Sequence, residues 1–101
     1  MAKPKNYDDF NDSLKDGILP SEWPEALKAL WFDANGDWKA SHDIAQDIET
    51  LLGSWIHAYL HRKEGDEFNA GYWYRRAQRN FPDMSLTKEH QQITEYILNG
   101  N

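Results

Sequence analysis

Ala58-Tyr59-Leu60-His61-Arg62-Lys63-Glu64-Gly65-Asp66-Glu67-Phe68-Asn69-Ala70-Gly71-Tyr72-Trp73-Tyr74-Arg75-Arg76-Ala77 reads as helix, turn, helix. Gly65 ends the first helix as a left-handed cap, and Asp66 opens the next as an N-cap. Asn35-Gly36-Asp37 repeats the same logic, with Gly36 and Gly65 lying 29 positions apart. Each junction joins two helices through a very short turn, and short connections force antiparallel neighbours. The expectation is an all-α fold of two antiparallel helical hairpins with flanking capping helices. Residues 1–19 form an N-terminal arm with a short helix, and residues 20–101 form a single helical-hairpin domain.

The rest of the chain supports helices. Valine is absent, and Ile and Thr together supply only nine β-branched residues, which strands need to fit a pleated surface. Residues 1–6 are polar and expected to fray. Tyr7, Phe10 and Leu14 mark one face of a first helix, closed by Gly17. Ser21 is the expected cap of a second helix over Glu22–Asn35. A third helix is expected from Asp37 to Leu52, with Gly53-Ser54 as its stop and the next start. The fourth helix then covers Trp55–Glu64, the fifth ends near Asn80, and the last opens at Leu86-Thr87. Five Trp, five Tyr and four Phe can fill a small core.

Composition also excludes several functions. Without cysteine there is no disulfide, thiolate metal site or cysteine nucleophile. Eleven Lys and Arg against 17 Asp and Glu give a net charge of -6, which speaks against a nucleic-acid partner bound through its phosphates. No apolar run is long enough for a membrane span or a signal-peptide core, so no membrane role and a cytoplasmic location are expected. The segment starting at Asp33 opens like a calcium loop, but Trp38 takes the place of its glycine and Ile44 that of its last carboxylate.

The stretch from Ala58 to Ala77 resembles one unit of a tetratricopeptide or Sel1-like repeat, with Gly65, Ala70, Tyr74 and Ala77 at the repeat's offsets. Ser41, Ala45 and Ile48 follow Gly36 at comparable spacing. The resemblance implies stacked hairpins and a protein- or peptide-binding role. The longer string from Trp55 to Ala77 also resembles a group of small uncharacterised helical proteins, which implies no activity.

His57, His61 and Glu64 lie at i, i+4 and i+7, on one helical stripe. That stripe reads as a solvated polar face, as a ligand or partner groove, or as part of a metal site. No second helix offers a matching His-x-x-x-His, so a third imidazole would have to be His42. His42 follows Trp38 by one turn, which also suits a core histidine. Residues 53–82 hold five basic and three acidic side chains. Among them Arg62, Arg75, Arg76 and Arg79 complement helix dipoles or bind a carboxylate or phosphate. Tyr72, Trp73 and Tyr74 could stack on a ring.

Three functions follow. In the first, a small interaction module holds a peptide or acidic partner segment in a groove. The repeat offset places Lys28 and Phe32 beside His57 and His61, so Lys28, His57, His61 and Arg62 would line that groove. The second is a small-molecule or metal-binding enzyme with His42, His57, His61 and Glu64 around a pocket and Tyr72 and Arg76 on the substrate. The third is a homo-oligomer subunit burying Phe81 and Tyr96. No motif calls for a cofactor.

Overall fold

The computed structural model describes residues 3–100; the first two residues of the expected arm and the last residue of the expected domain lie outside this range. Six helices follow one another: α1 (Tyr7–Asp16), α2 (Glu25–Ala34), α3 (Trp38–Ala45), α4 (Leu51–Lys63), α5 (Glu67–Arg76) and α6 (Leu86–Leu98). Among the described residues there is no strand, and the fold is all-α. No helix among the described residues is long and apolar enough to cross a membrane.

The turns obey their residues. Gly36 and Gly65 have φ of 86° and 88°, a region open to glycine at little cost. After each, the next amide reaches back to close the turn: Asp37 N–H donates to Phe32 O at 2.8 Å and Asp66 N–H to His61 O at 2.9 Å. Asp37 and Asp66 then cap α3 and α5, accepting from the amides of Ala40 and Asn69. The two junctions therefore match, bond for bond, at the 29-residue offset. The pairs they join, α2 with α3 and α4 with α5, make the most extensive helix contacts in the molecule, while α6 packs on α1, α2 and α4.

Four boundaries differ from expectation. α2 starts at Glu25 after Pro24 and has no side-chain cap, so Ser21 does not open it. Trp23 lies before the helix, yet is buried. α3 stops at Ala45 rather than Leu52, and Thr50 caps α4 by accepting from the Gly53 amide. Gly53 is thus inside α4 and not a terminator. Its role is close approach, because a Cβ there would sit 2.0 Å from the carbonyl oxygen of Ile48. α5 ends at Arg76, short of Asn80, because Gln78 takes the left-handed conformation at φ 61° and turns the chain.

α4 is the central helix, with every residue from Trp55 to Leu60 buried. Two fully buried carboxylates tie other helices to it. Glu89 on α6 accepts from Tyr74 Oη at 2.6 Å, Trp55 Nε1 at 3.1 Å and Arg62 Nη1 at 2.8 Å. Asp33 on α2 accepts from Tyr59 Oη at 2.7 Å and pairs with Lys63 Nζ at 2.8 Å. Burial and these carboxylates push the phenols of Tyr59 and Tyr74 well above their usual range. α1 is held by Phe10, which is fully buried, and by Tyr7, which bonds His90 Nδ1 at 2.8 Å. His90 Nε2–H donates to Leu30 O at 3.0 Å, so Nδ1 is the acceptor for the Tyr7 hydroxyl.

Candidate functional site

His57 and His61 are one turn apart on α4, and their rings stack with centroids 4.9 Å apart. His42 comes from α3, which packs on α4. Its ring meets His57 edge-on at 4.6 Å and His61 at 5.3 Å. One ring nitrogen from each of the three lies within 4.8 Å of the other two.

Two indoles wall the cluster. Trp73 on α5 stacks on His57 at 3.9 Å, and Trp38 on α3 stacks on His42 at 4.8 Å. Trp38 is fixed by its Nε1–H, which donates to Leu60 O at 2.8 Å. On the open side, Glu64 Oε1 lies 2.8 Å from His61 Nδ1. A carboxylate accepts, so Nδ1–H is the donor in this bond. Asp66 extends this edge, since His61, Glu64 and Asp66 also bring ligand atoms within 4.8 Å of one another.

The walls set the charge state. Burial, then the neighbouring His42 and His61, pulls His57 from 6.5 down to about 4. Burial, then His61, also lowers His42. Both rings are therefore neutral at pH 7 and keep a lone pair free. Two uncharged imidazoles are Lewis bases toward a metal or proton acceptors toward a bound molecule.

The structure brings together four of the eight sequence-predicted residues: His42, His57, His61 and Glu64. The two histidines of the stripe are not solvated, because His57 is only 6% exposed and the His61 side chain 13%, whereas Glu64 is exposed. Arg76 and Tyr72 join at one remove. The Arg76 guanidinium lies 5.1 Å from the centre of the Trp73 ring and donates to Tyr72 Oη at 3.1 Å. Arg62 points elsewhere, to Glu89 and the Met84 carbonyl. Lys28 pairs with Glu25 on its own helix. Lys28, His57, His61 and Arg62 thus do not form one open groove, since His57 is covered by Trp73 and Arg62 is committed to a buried carboxylate. Sequence reasoning gave Trp38 to the core and offered Trp73 to the core or to a ligand's ring, and missed them as the stacking partners of His42 and His57. The i, i+4 spacing of Trp38 and His42 is the signal that could have found the first; nothing local signals the second.

The chain matches no family model, no curated protein and no solved structure.

Proposed function

We propose that this protein binds a divalent transition-metal ion through His42, His57 and His61. One observation carries the reading: three imidazoles from two helices converge between aromatic walls that hold at least two of them neutral. Imidazole suits zinc, copper, nickel and iron, whereas calcium and magnesium take oxygen ligands. Zinc–nitrogen bonds of about 2.0–2.1 Å put tetrahedral ligand atoms roughly 3.3 Å apart. The ring nitrogens, now within 4.8 Å of one another, would draw together toward that spacing on binding. Glu64 supports the assignment, because a metal-bound histidine usually donates its other N–H to a carboxylate that fixes its orientation. Three protein ligands leave a coordination position open, the arrangement in which a metal polarises a substrate or activates water.

The test is a melt of metal-stripped protein with and without Zn²⁺, together with Co²⁺ absorption spectroscopy. An ion at 100 times its dissociation constant adds about 2.7 kcal/mol to stability. The expected result is one ion per chain, lost in His42→Ala, His57→Ala and His61→Ala variants that remain folded by circular dichroism. A wild-type protein with no melting shift, or a shift surviving all three substitutions, refutes the proposal.

The matched turns at Gly36 and Gly65 support a second reading, in which α2–α3 and α4–α5 are two tetratricopeptide-like hairpins presenting a binding surface to a protein or peptide. In such an array the first helices, α2 and α4, line the concave face. α6 packs on both, so part of their surface is already taken within this chain. The metal reading therefore ranks first.

A further inference from the structure

The polar stripe of α4 continues beyond the histidines. Thr50, Ser54, His57 and His61 follow one another at helical spacing, so the stripe runs to the start of the helix. Gln46 is one turn from His42 at the end of α3, and Arg76 is one turn from Trp73 at the end of α5. These extensions meet in a groove of ≈ 590 Å³ lined by Gln46, Glu49, Thr50, Ser54, Trp73 and Arg76, with Ile48 and Leu51. That volume is within the range of roughly 300–1,000 Å³ that small-molecule sites occupy. Trp73 is the shared wall, with His57 stacked on its ring.

The groove holds unused hydrogen-bonding capacity. Among the described residues, the side chains of Gln46, Glu49 and Ser54 have no hydrogen-bond partner. Arg76 donates only to Tyr72 Oη, which leaves most of its five N–H groups for a ligand. Its guanidinium is steadied against the Trp73 ring, and a guanidinium fork matches a carboxylate in a bidentate manner. Glu49 puts one negative charge on the same rim.

We propose that this groove seats a small organic acid that carries an amino or hydroxyl group next to its carboxylate. Arg76 takes the carboxylate, Ser54 and Gln46 bond the polar substituent, and Glu49 favours ligands that bring a donor. The inference goes beyond the metal reading, and Trp73 is the wall that the two sites share. The seat itself needs no metal.

The test therefore begins with metal-free protein, titrated with glycolate, glycine, acetate and inorganic phosphate and followed by amide chemical shifts. The expected result is saturable binding of glycolate or glycine, tighter than acetate or phosphate, with shifts at Gln46, Ser54 and Arg76. Arg76→Gln should weaken binding about tenfold or more, given the strength of charged hydrogen bonds. Arg76→Lys should recover only part of it. Both variants should bind Zn²⁺ as wild type does. No saturable binding of glycolate or glycine, a preference for phosphate, or binding that is intact in Arg76→Gln overturns the proposal. Acid binding in a protein that takes no metal ion would keep the seat and refute the metal site instead.

Discussion

Glu89→Gln tests whether the interior of this domain depends on one buried carboxylate. Glu89 is 1% exposed and accepts three hydrogen bonds, from Tyr74, Trp55 and Arg62. Glutamine keeps the shape and one acceptor oxygen, so a neutral donor can still be met. It cannot neutralise Arg62, whose side chain is 16% exposed, and its NH₂ group faces other donors. Breaking a buried ion pair by removing one partner costs about 3–5 kcal/mol. The partial exposure of Arg62 and the surviving acceptor lower this to about 2–4 kcal/mol. For a domain of this size each kcal/mol moves the melting temperature by about 4–8 °C, so the variant should melt roughly 10–30 °C below wild type. Arg62→Met should also destabilise, because it leaves the buried Glu89 with only its bonds from Tyr74 and Trp55. The double variant Arg62→Met/Glu89→Met should be less destabilised than the two single losses combined. A Glu89→Gln melt within about 3 °C of wild type would falsify the reasoning. Folded Arg62→Met protein should still take one metal ion, which separates the scaffold from the site.

Further expectations concern the backbone, the histidines and the walls. Gly53→Ala should be strongly destabilising, by about 3 kcal/mol or more, because its Cβ would overlap the Ile48 carbonyl. Gly71→Ala, whose Cβ would meet nothing closer than 3.5 Å, should stabilise α5 by about 0.5–1 kcal/mol. Urea titrations of both give the comparison, and equal midpoints would refute the close-approach role of Gly53. In metal-free protein, His57 falls from 6.5 to about 4 on folding, and His42 and His90 are also lowered. The unfolded chain then binds protons near pH 6.5 that the folded chain refuses, so stability must fall as pH drops from about 6.5 toward 4. His57 contributes to that loss, so the slope should flatten in His57→Gln. A flat wild-type profile would contradict neutral burial. Trp38→Phe removes the bond to Leu60 O and one wall of His42. It should cost about 1 kcal/mol in a melt and weaken Zn²⁺ binding in calorimetry.

Elements with strong local chemistry were legible in the sequence. Gly36 and Gly65 terminate helices where expected, Gly17 caps α1, and Asp37 and Asp66 start α3 and α5. Gly53 was misread because a glycine before a serine looks like a stop, while the reason for it is an approach by Ile48 that only the tertiary structure contains. Periodicity also failed on α4. That helix is buried nearly all round, so its histidines share the interior with Ile56 and Leu60 instead of facing water. Arg62 looked like a groove residue because its partner, Glu89, is 27 positions away. The spacing of His57, His61 and Glu64 exposed half of the site. The approach of His42 depends on how α3 lies against α4, which no local pattern encodes.

The docking of α6 has a kinetic consequence. The most extensive packing pairs helices adjacent in the chain, α2 with α3 and α4 with α5, whereas α6 reaches back to α1, α2 and α4. Contacts between chain neighbours form quickly, and distant ones must first overcome loop-closure entropy. The four middle helices should thus assemble early and α6 should close over them last, bringing Glu89 to Arg62 after the rate-limiting barrier. On that order, substitutions in the Glu89 cluster would accelerate unfolding while barely slowing refolding. The lifetime of the native molecule would then be set by how long its last helix stays latched.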